Sequence, residues 1–175
     1  VFQAGNASLT GSYNVAGGLV FNVTGTALMG GVISGAGGVT QAGTGTTILA
    51  GNNTYSGLTA INAGTLQVGN GGTTGTLGTG TVTDSANLSF NGSGTTIVNN
   101  LISGTGRLIQ SGTGTTILAA NNTYSGITTI NAGTLQVGNG GTAGRLGTGA
   151  VTDNGVLAYN LSSATTVSNL ISGTG

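Results

Sequence analysis

Hydrophobic and polar residues alternate along this chain in short runs. Val, Ile, Leu and Thr fill the runs, and Gly, Asn or Ser interrupts them, as in TTILA (46–50), GTLQV (64–68) and NLSF (87–90). Short β-branched segments bounded by turn residues are typical of strands. No window of eleven residues shows the 3.6-residue apolar period of a helix, and the frequent glycine disfavours one. The pattern predicts an all-β fold.

The strand pattern belongs to a long repeat without gaps. Residues 33–101 align with residues 102–170, and 48 of the 69 aligned positions are identical. Residues 1–32 match the end of a copy more weakly, and residues 171–175 start the next copy. Repeats of this kind are typical of arrays. We therefore predict one solenoid segment over residues 1–175 rather than separate domains.

The spacing of equivalent leucines gives the length of one coil. Leu66, Leu88, Leu108 and Leu135 follow one another at intervals of roughly 20–27 residues, a range typical of solenoid coils. The longer last interval, from Leu108 to Leu135, completes one copy of the repeat. A β-sandwich of hairpins would instead place turn signals every 8–12 residues. The spacing predicts a parallel β-helix with about three coils per copy, in which these leucines stack about 4.8 Å apart.

Glycine and asparagine are the expected corner residues of such coils. The chain has 38 glycines and no proline. Glycine adopts positive φ without steric cost and asparagine tolerates it, whereas proline would remove a ladder hydrogen bond. We predict that Asn52, Asn53, Asn121 and Asn122 lie at corners, where stacked amides can form ladders along the axis.

The composition excludes most chemistry. The chain has two arginines, two aspartates, no His, Cys, Lys, Glu or Trp, and a formal net charge of zero. The usual catalytic bases, thiolate nucleophiles and zinc ligands are therefore missing. Two arginines are too few for the phosphate contacts of nucleic-acid binding. We expect a non-enzymatic protein with no catalytic, cofactor-binding or metal site and no nucleic-acid or small-molecule partner.

Asp84 and Asp153 are the only carboxylates, and both end a G-x-V-T-D segment. With three coils per copy they would lie about 14 Å apart on one face. Paired glycosidase carboxylates lie roughly 5–9.5 Å apart, so we do not expect a catalytic pair. A bond from each side chain to the backbone of the following turn is the interpretation we favour. Arg107 and Arg145 are expected to be solvated, and an exposed Arg145–Asp153 pair would add only about 0–1 kcal/mol.

The remaining candidates have structural interpretations. Tyr55 and Tyr124 are expected to pack at corners, with a sugar-binding shelf as the alternative that also concerns Tyr13 and Tyr159. The GNGG segments lack the aspartates of a calcium loop, and the GTGTT segments lack the lysine and helix of a phosphate loop. We interpret the N-x-[ST] sequences as incidental; they begin at Asn6, Asn22, Asn52, Asn87, Asn91, Asn121 and Asn160.

Two segments carry the motifs of a known family. They are GTGTTILAGNNTYSGLTAINAGTLQVGNGGT (43–73) and GTGTTILAANNTYSGITTINAGTLQVGNGGT (112–142). Each contains a G-x-G-T-x-x-L strand, an N-T-Y-x-G corner and a T-x-I-x-x-G-T-L-x-V segment. This pattern resembles the autotransporter-associated β-strand repeat, also called the passenger-associated transport repeat.

The resemblance implies the passenger of a type V secreted autotransporter from a Gram-negative bacterium, typically a right-handed parallel β-helix. Such passengers cross the outer membrane through a C-terminal β-barrel, and the parent chain is expected to carry one. They commonly remain at the cell surface as stalks or adhesins, and this repeat is associated with efficient export. Since the chain opens VFQAG without a signal peptide, we interpret it as a mature product or a piece of a longer chain.

We therefore expect an extracellular or cell-surface rod that spaces or presents an adhesive region, with host-surface, glycan or self contacts. The first alternative is a self-associating fibre or biofilm matrix protein that stacks through uncovered strand edges at its ends. A more remote alternative is a face that binds a carbohydrate or ice lattice. That alternative requires threonine at one position in every coil, whereas threonine recurs most regularly from one copy to the next.

Overall fold

The computed structural model describes residues 2–4 and 8–175, which form short strands joined by turns. Within these ranges there is no helix that could span a membrane. The strands, in chain order, are β1 (Phe2–Ala4), β2 (Tyr13–Asn14), β3 (Leu19–Phe21), β4 (Thr26–Met29), β5 (Ile33–Ser34), β6 (Val39–Gln41), β7 (Thr46–Leu49), β8 (Thr59–Ile61), β9 (Thr65–Val68), β10 (Val82–Asp84), β11 (Asn87–Phe90), β12 (Thr95–Val98), β13 (Ile102–Gly104), β14 (Arg107–Gln110), β15 (Thr115–Leu118), β16 (Thr128–Ile130), β17 (Thr134–Val137), β18 (Val151–Asp153), β19 (Val156–Tyr159) and β20 (Ile171–Gly173).

The strands stack in parallel, each on the strand one coil earlier. One sheet has the order β1-β3-β6-β8-β10-β13, and a second has the order β4-β7-β9-β11-β14-β16-β18-β20. Two further sheets, with the orders β2-β5 and β12-β15-β17-β19, lie on the third side of the coils. Successive strands β10, β11 and β12 lie in three different sheets, and β13 then returns to β10. The chain is thus a parallel β-solenoid of about 8 turns, which confirms the predicted fold class.

We name the three sides of the rod by these sheets. Face 1 is the sheet from β1 to β13, and face 2 is the sheet from β4 to β20. Face 3 begins with β2-β5, continues through segments 52–56 and 76–80, and ends with β12-β15-β17-β19. Face 1 continues beyond β13 through segments 121–125 and 145–149.

Inward side chains of consecutive coils stack into columns that form one core. Leu88 pairs in register with Leu66 on one side and with Leu108 on the other, and all three leucines are buried. This is the stack that the sequence predicted. Buried aliphatic side chains of this kind continue along the rod from Leu19 to Val151.

The final step of the predicted leucine series is wrong. Leu108 pairs with Thr128 on face 2, so the column of Leu66 and Leu88 continues through a threonine. Leu135 instead lies on face 3, where it pairs with Thr116 and Leu157. The two leucines that complete one copy therefore belong to different columns.

The reason is that one copy of the repeat is longer than three coils. Three coils lead from Thr46 to Arg107, whereas one copy leads from Thr46 to Thr115. On face 1, three coils lead from β6 through β8 and β10 to β13, whereas one copy leads from β6 to β14. The excess in both cases is one strand and its turn, which is one further side of the rod.

The extra side moves every strand of the second copy to the next face. Strands β6, β8 and β10 lie on face 1, but their equivalents in the second copy, β14, β16 and β18, lie on face 2. Strands β7, β9 and β11 lie on face 2, and their equivalents β15, β17 and β19 lie on face 3. The first copy contributes ten segments, eight strands and two bridge segments, to a rod with three segments per coil.

Candidate functional surfaces

The N-N-T-Y segments bind neighbouring coils together through asparagine side chains. Asn53 Oδ1 accepts a hydrogen bond from the Ile33 amide at 2.8 Å, and its Nδ2 donates to the Thr76 carbonyl at 2.7 Å. Asn52 Oδ1 accepts from the Gly75 amide at 3.0 Å. The second copy repeats these bonds, with Asn122 between Ile102 and Arg145 and with Asn121 on Gly144.

These asparagines lie within the face segments 52–56 and 121–125 rather than at the corners that the sequence predicted, and their amides do not stack on one another. Asn53 and Asn122 occupy the same position in successive copies and lie on faces 3 and 1, so no column brings them together. Each instead satisfies backbone groups of the coils above and below it. The result is a connection along the axis that spans three coils.

Tyr55 and Tyr124 are interior packing residues. Both are fully buried, and their hydroxyls lie 2.7 Å from the Thr59 and Thr128 hydroxyls. Burial raises the pKa of Tyr124 to about 12. A side chain at Gly78 would overlap the Tyr55 ring, so the following coil lies directly against it. These two tyrosines therefore pack in the core rather than at a corner, and they form no sugar-binding shelf.

The two aspartates bond to the turns that follow them, as the sequence predicted. Asp84 Oδ1 accepts from the Ala86 amide at 2.9 Å. Asp153 accepts from the Gly155 amide at 3.0 Å and from the Leu157 amide at 3.2 Å. Their predicted placement on one face is wrong, because Asp84 lies on face 1 and Asp153 on face 2. The rotation of the copies separates the two carboxylates and leaves each in its own turn.

Asp84 is a carboxylate inside the rod. Its residue is 1% exposed, and a side chain at Gly106 of the next coil would overlap its carboxyl group. Burial raises the pKa of Asp84 to about 6, although hydrogen bonds from the Ala86 and Leu88 amides oppose the shift. The hydrogen bond from the following turn thus partly stabilises the charged Asp84 carboxylate, which burial in the core destabilises.

Two interior glutamines are structural residues that the sequence analysis did not single out. Gln41 Nε2 donates to the Gly43 carbonyl at 2.8 Å and to the Gly45 carbonyl at 3.2 Å, and its Oε1 accepts from the Thr47 hydroxyl at 2.6 Å. Gln110 makes the equivalent bonds in the second copy. A glutamine at an inward strand position before G-x-G-T-T is the signal that could have identified them.

The GNGG segments form exposed loops that are attached to the next coil. In the loop of residues 70–74, the Gly71 amide donates to the Asn91 carbonyl at 2.8 Å, and the Ser93 amide donates to the Gly72 carbonyl at 2.9 Å. The loop of residues 139–143 makes the equivalent bonds. Each loop lengthens the coil that contains it: the coil from β9 to β11 includes residues 70–74, whereas the coil from β11 to β14 has no such insertion. The loops project without occupying core positions.

One cleft lies beside the last coil. It has a volume of about 630 Å³ and is lined by Arg145, Tyr159 and Asn169 among others. The equivalent cleft one copy earlier is about 170 Å³. There Val98 is buried on Leu118 of the next coil, whereas no strand of the described chain covers Val167. The larger volume therefore accompanies the greater exposure of Val167.

The other candidates are ordinary surface positions. Arg107 and Arg145 are exposed, as expected. The outward column of face 1 is mixed, so it offers no threonine lattice; it runs Val20, Thr40, Ala60, Thr83 and Ser103. Asn6 lies outside the described residues. Within the described part of the chain, no three His, Cys, Asp or Glu side chains form a group that could hold a metal.

Comparisons with known proteins agree with the motifs. The family model of the passenger-associated-transport-repeat matches residues 39–68 and 108–137. The chain carries passenger-associated transport repeats. The first repeat runs from β6 to β9 and starts on face 1, whereas the second runs from β14 to β17 and starts on face 2.

The chain is also similar to adhesin BmaC autotransporter of Brucella suis biovar 1 (strain 1330). The two are 43% identical over 74 residues, which is 41% of this chain and 2% of that protein. The chain thus spans a small fraction of this relative. No solved structure gives a significant match.

Proposed function

We propose that this chain is a rod segment of a secreted or surface-displayed autotransporter passenger, where it acts as the stalk or scaffold of an adhesin. The observation that carries the proposal is the presence of two passenger-associated transport repeats within one uninterrupted solenoid. The similarity to an autotransporter adhesin supports the adhesive context. About 8 turns at about 4.8 Å per turn give a rod of about 38 Å.

A role without catalysis agrees with the chemistry of the described residues. Asp84 and Asp153 lie on different faces, and each accepts hydrogen bonds from its own turn. The sequence has no histidine, lysine or cysteine that could act as a base or nucleophile. Loss of a polysaccharide substrate in the presence of the purified chain would contradict this part of the proposal.

The architecture also supports a role in export. Each coil bonds to the coils directly before and after it, so one folding step needs only the coil that is being added and the coil already in place. A chain that emerges from a membrane pore can therefore fold coil by coil on the part already outside. We propose that this sequential folding favours outward movement.

An export assay tests the proposed function. The chain is placed in an autotransporter passenger, and surface display is measured by protease accessibility on intact cells. Y55A/Y124A removes both buried rings, and T54A/T123A alters exposed residues of the same segments as the control. We expect normal display of the control and a several-fold loss for Y55A/Y124A. Equal display of both variants would contradict the export role.

A self-associating fibre is the second candidate, and its support is the composition. The chain has two arginines, two aspartates and a net charge of zero, so little charge opposes the stacking of one rod on another. Electron microscopy of the purified chain distinguishes the candidates. Filaments many times longer than one rod would support the fibre, and single short rods would support the stalk.

A further inference from the structure

We infer that each copy of the repeat is a stepping unit that turns the following surface of the rod by one face. The number of copies then sets which edge of the rod presents a given contact surface. The inference rests on the proposed function as a display rod, since orientation around the axis matters only when a surface is presented. It follows from ten segments per copy on a rod with three segments per coil.

The exposed loops show the step directly. Residues 70–74 follow β9 on face 2 and precede the face 3 segment 76–80, so this loop lies on the edge between those faces. Residues 139–143 follow β17 on face 3 and precede the face 1 segment 145–149. The same loop therefore moves to the next edge in one copy. Three copies are needed before it returns to its first edge.

The step is possible because neighbouring faces accept the same strands. The VTD strand is β10 on face 1 in the first copy and β18 on face 2 in the second. The TLQV strand is β9 on face 2 and β17 on face 3, with the same alternation of half-buried and buried residues. A copy can therefore be added or removed without placing new polar residues in the core.

The rotation of the loops from copy to copy determines which shape of partner can contact several of them at once. A flat partner lying along one edge meets a given loop once every three copies. A partner that engages loops around the rod meets one in every copy, which favours multivalent contacts. Loss or gain of one copy changes the edge that faces a flat partner, and loss or gain of three copies restores it.

Removal of one copy tests the inference. In a chain lacking residues 33–101, Ile109 takes the place of Thr40, which pairs with Val20 on face 1. A copy that kept its face would instead place Ile109 in the face 2 column that contains Leu28. The chain has no cysteine, so engineered disulfides report the pairing. Directly paired Cα atoms lie about 4.8 Å apart, a spacing that permits a disulfide.

In the shortened chain we expect V20C/I109C to form a disulfide in most molecules and L28C/I109C to form none. In the intact chain neither pair should form, because Val20 lies on another face from Ile109 and Leu28 lies four coils away from it. The reverse result in the shortened chain would overturn the inference.

The intact chain supplies a second test if the shortened chain does not fold. S89C/I109C joins residues that pair on face 2. T83C/I109C joins residues that would pair if a copy were three complete coils, because Thr83 is the outward residue of β10. We expect oxidation of the first pair only, and oxidation of the second only would refute the step. Failure of export with the expected disulfides would count against the proposed function alone.

Discussion

At the scale of residues, the stability of the rod depends on a few buried polar side chains that form hydrogen bonds within it. Gln41, Asn53 and Tyr55 are buried, and each has hydrogen-bond partners within the rod. No buried side-chain nitrogen or oxygen in the described residues is left without a partner. Burial without a partner would cost about 1–3 kcal/mol per group. Substitutions at these positions should therefore affect stability more than surface substitutions.

Asp84 should make the stability depend on pH. Its pKa is about 6 in the fold and 3.8 as the ordinary value, so the folded chain binds the proton more tightly. The stabilising effect of protonation is complete below about pH 4 and is lost as the pH rises through about 6. We expect the free energy of unfolding in urea to be about 1–3 kcal/mol higher at pH 4 than at pH 7.

D84N and D153N provide the matched pair for this prediction. Both substitute the aspartate of a VTD strand, but Asp84 is buried and Asp153 is half-buried. D84N should flatten the dependence on pH, and D153N should leave most of it. If the free energy of unfolding of D84N still depended on pH as in the unmodified chain, a group other than Asp84 would be responsible.

The Tyr55–Thr59 hydrogen bond should have a measurable coupling energy. Y55F and T59V each leave one partner of the bond inside the core. Each substitution should lower the free energy of unfolding by about 1 kcal/mol or more. The double variant Y55F/T59V should be less destabilised than the sum of the two. Strict additivity in urea unfolding would contradict the bond.

At the scale of elements, the asparagines of the N-N-T-Y segments join coils that the strands alone would hold less firmly. N53A removes the acceptor of the Ile33 amide and the donor to the Thr76 carbonyl. We expect a loss of about 2–4 kcal/mol, because two backbone groups lose their partners. Hydrogen exchange of the Ile33 amide should also become faster in N53A, because this amide loses its acceptor. N62A, which changes an exposed asparagine, is the control, and an equal loss of stability in N62A would reject this role of Asn53.

The strands and the stack of Leu66, Leu88 and Leu108 could be predicted, because inward aliphatic residues at a regular interval define a coil. The step to Leu135 could not. The two copies are so alike that the length of one copy was taken to equal a whole number of coils. The strand pairing shows that one copy is longer than three coils. The loop of residues 70–74 lengthens its coil without adding a core position. The residues by which one copy exceeds three coils form one further side of the rod. Gln41 was missed because no use was made of its inward strand position before G-x-G-T-T, where its side chain bonds to Gly43, Gly45 and Thr47.

At the scale of the whole molecule, the rod is a linear array in which each coil depends on its neighbours. Such arrays open from their ends, where coils have one neighbour instead of two. We expect amides of β19 and β20 to exchange with solvent at least tenfold faster than those of β8 to β11. Uniform exchange along the rod would indicate all-or-none opening and contradict this expectation.

The central claim is that the chain winds around three faces and that one copy exceeds three coils by one face. Nuclear Overhauser contacts between side-chain methyl groups test it most directly in a chain of 16.5 kDa. The account predicts contacts from Leu88 to both Leu66 and Leu108, and from Leu108 to Thr128 but not to Leu135. Contacts between Leu108 and Leu135, or backbone contacts typical of antiparallel pairing, would contradict it.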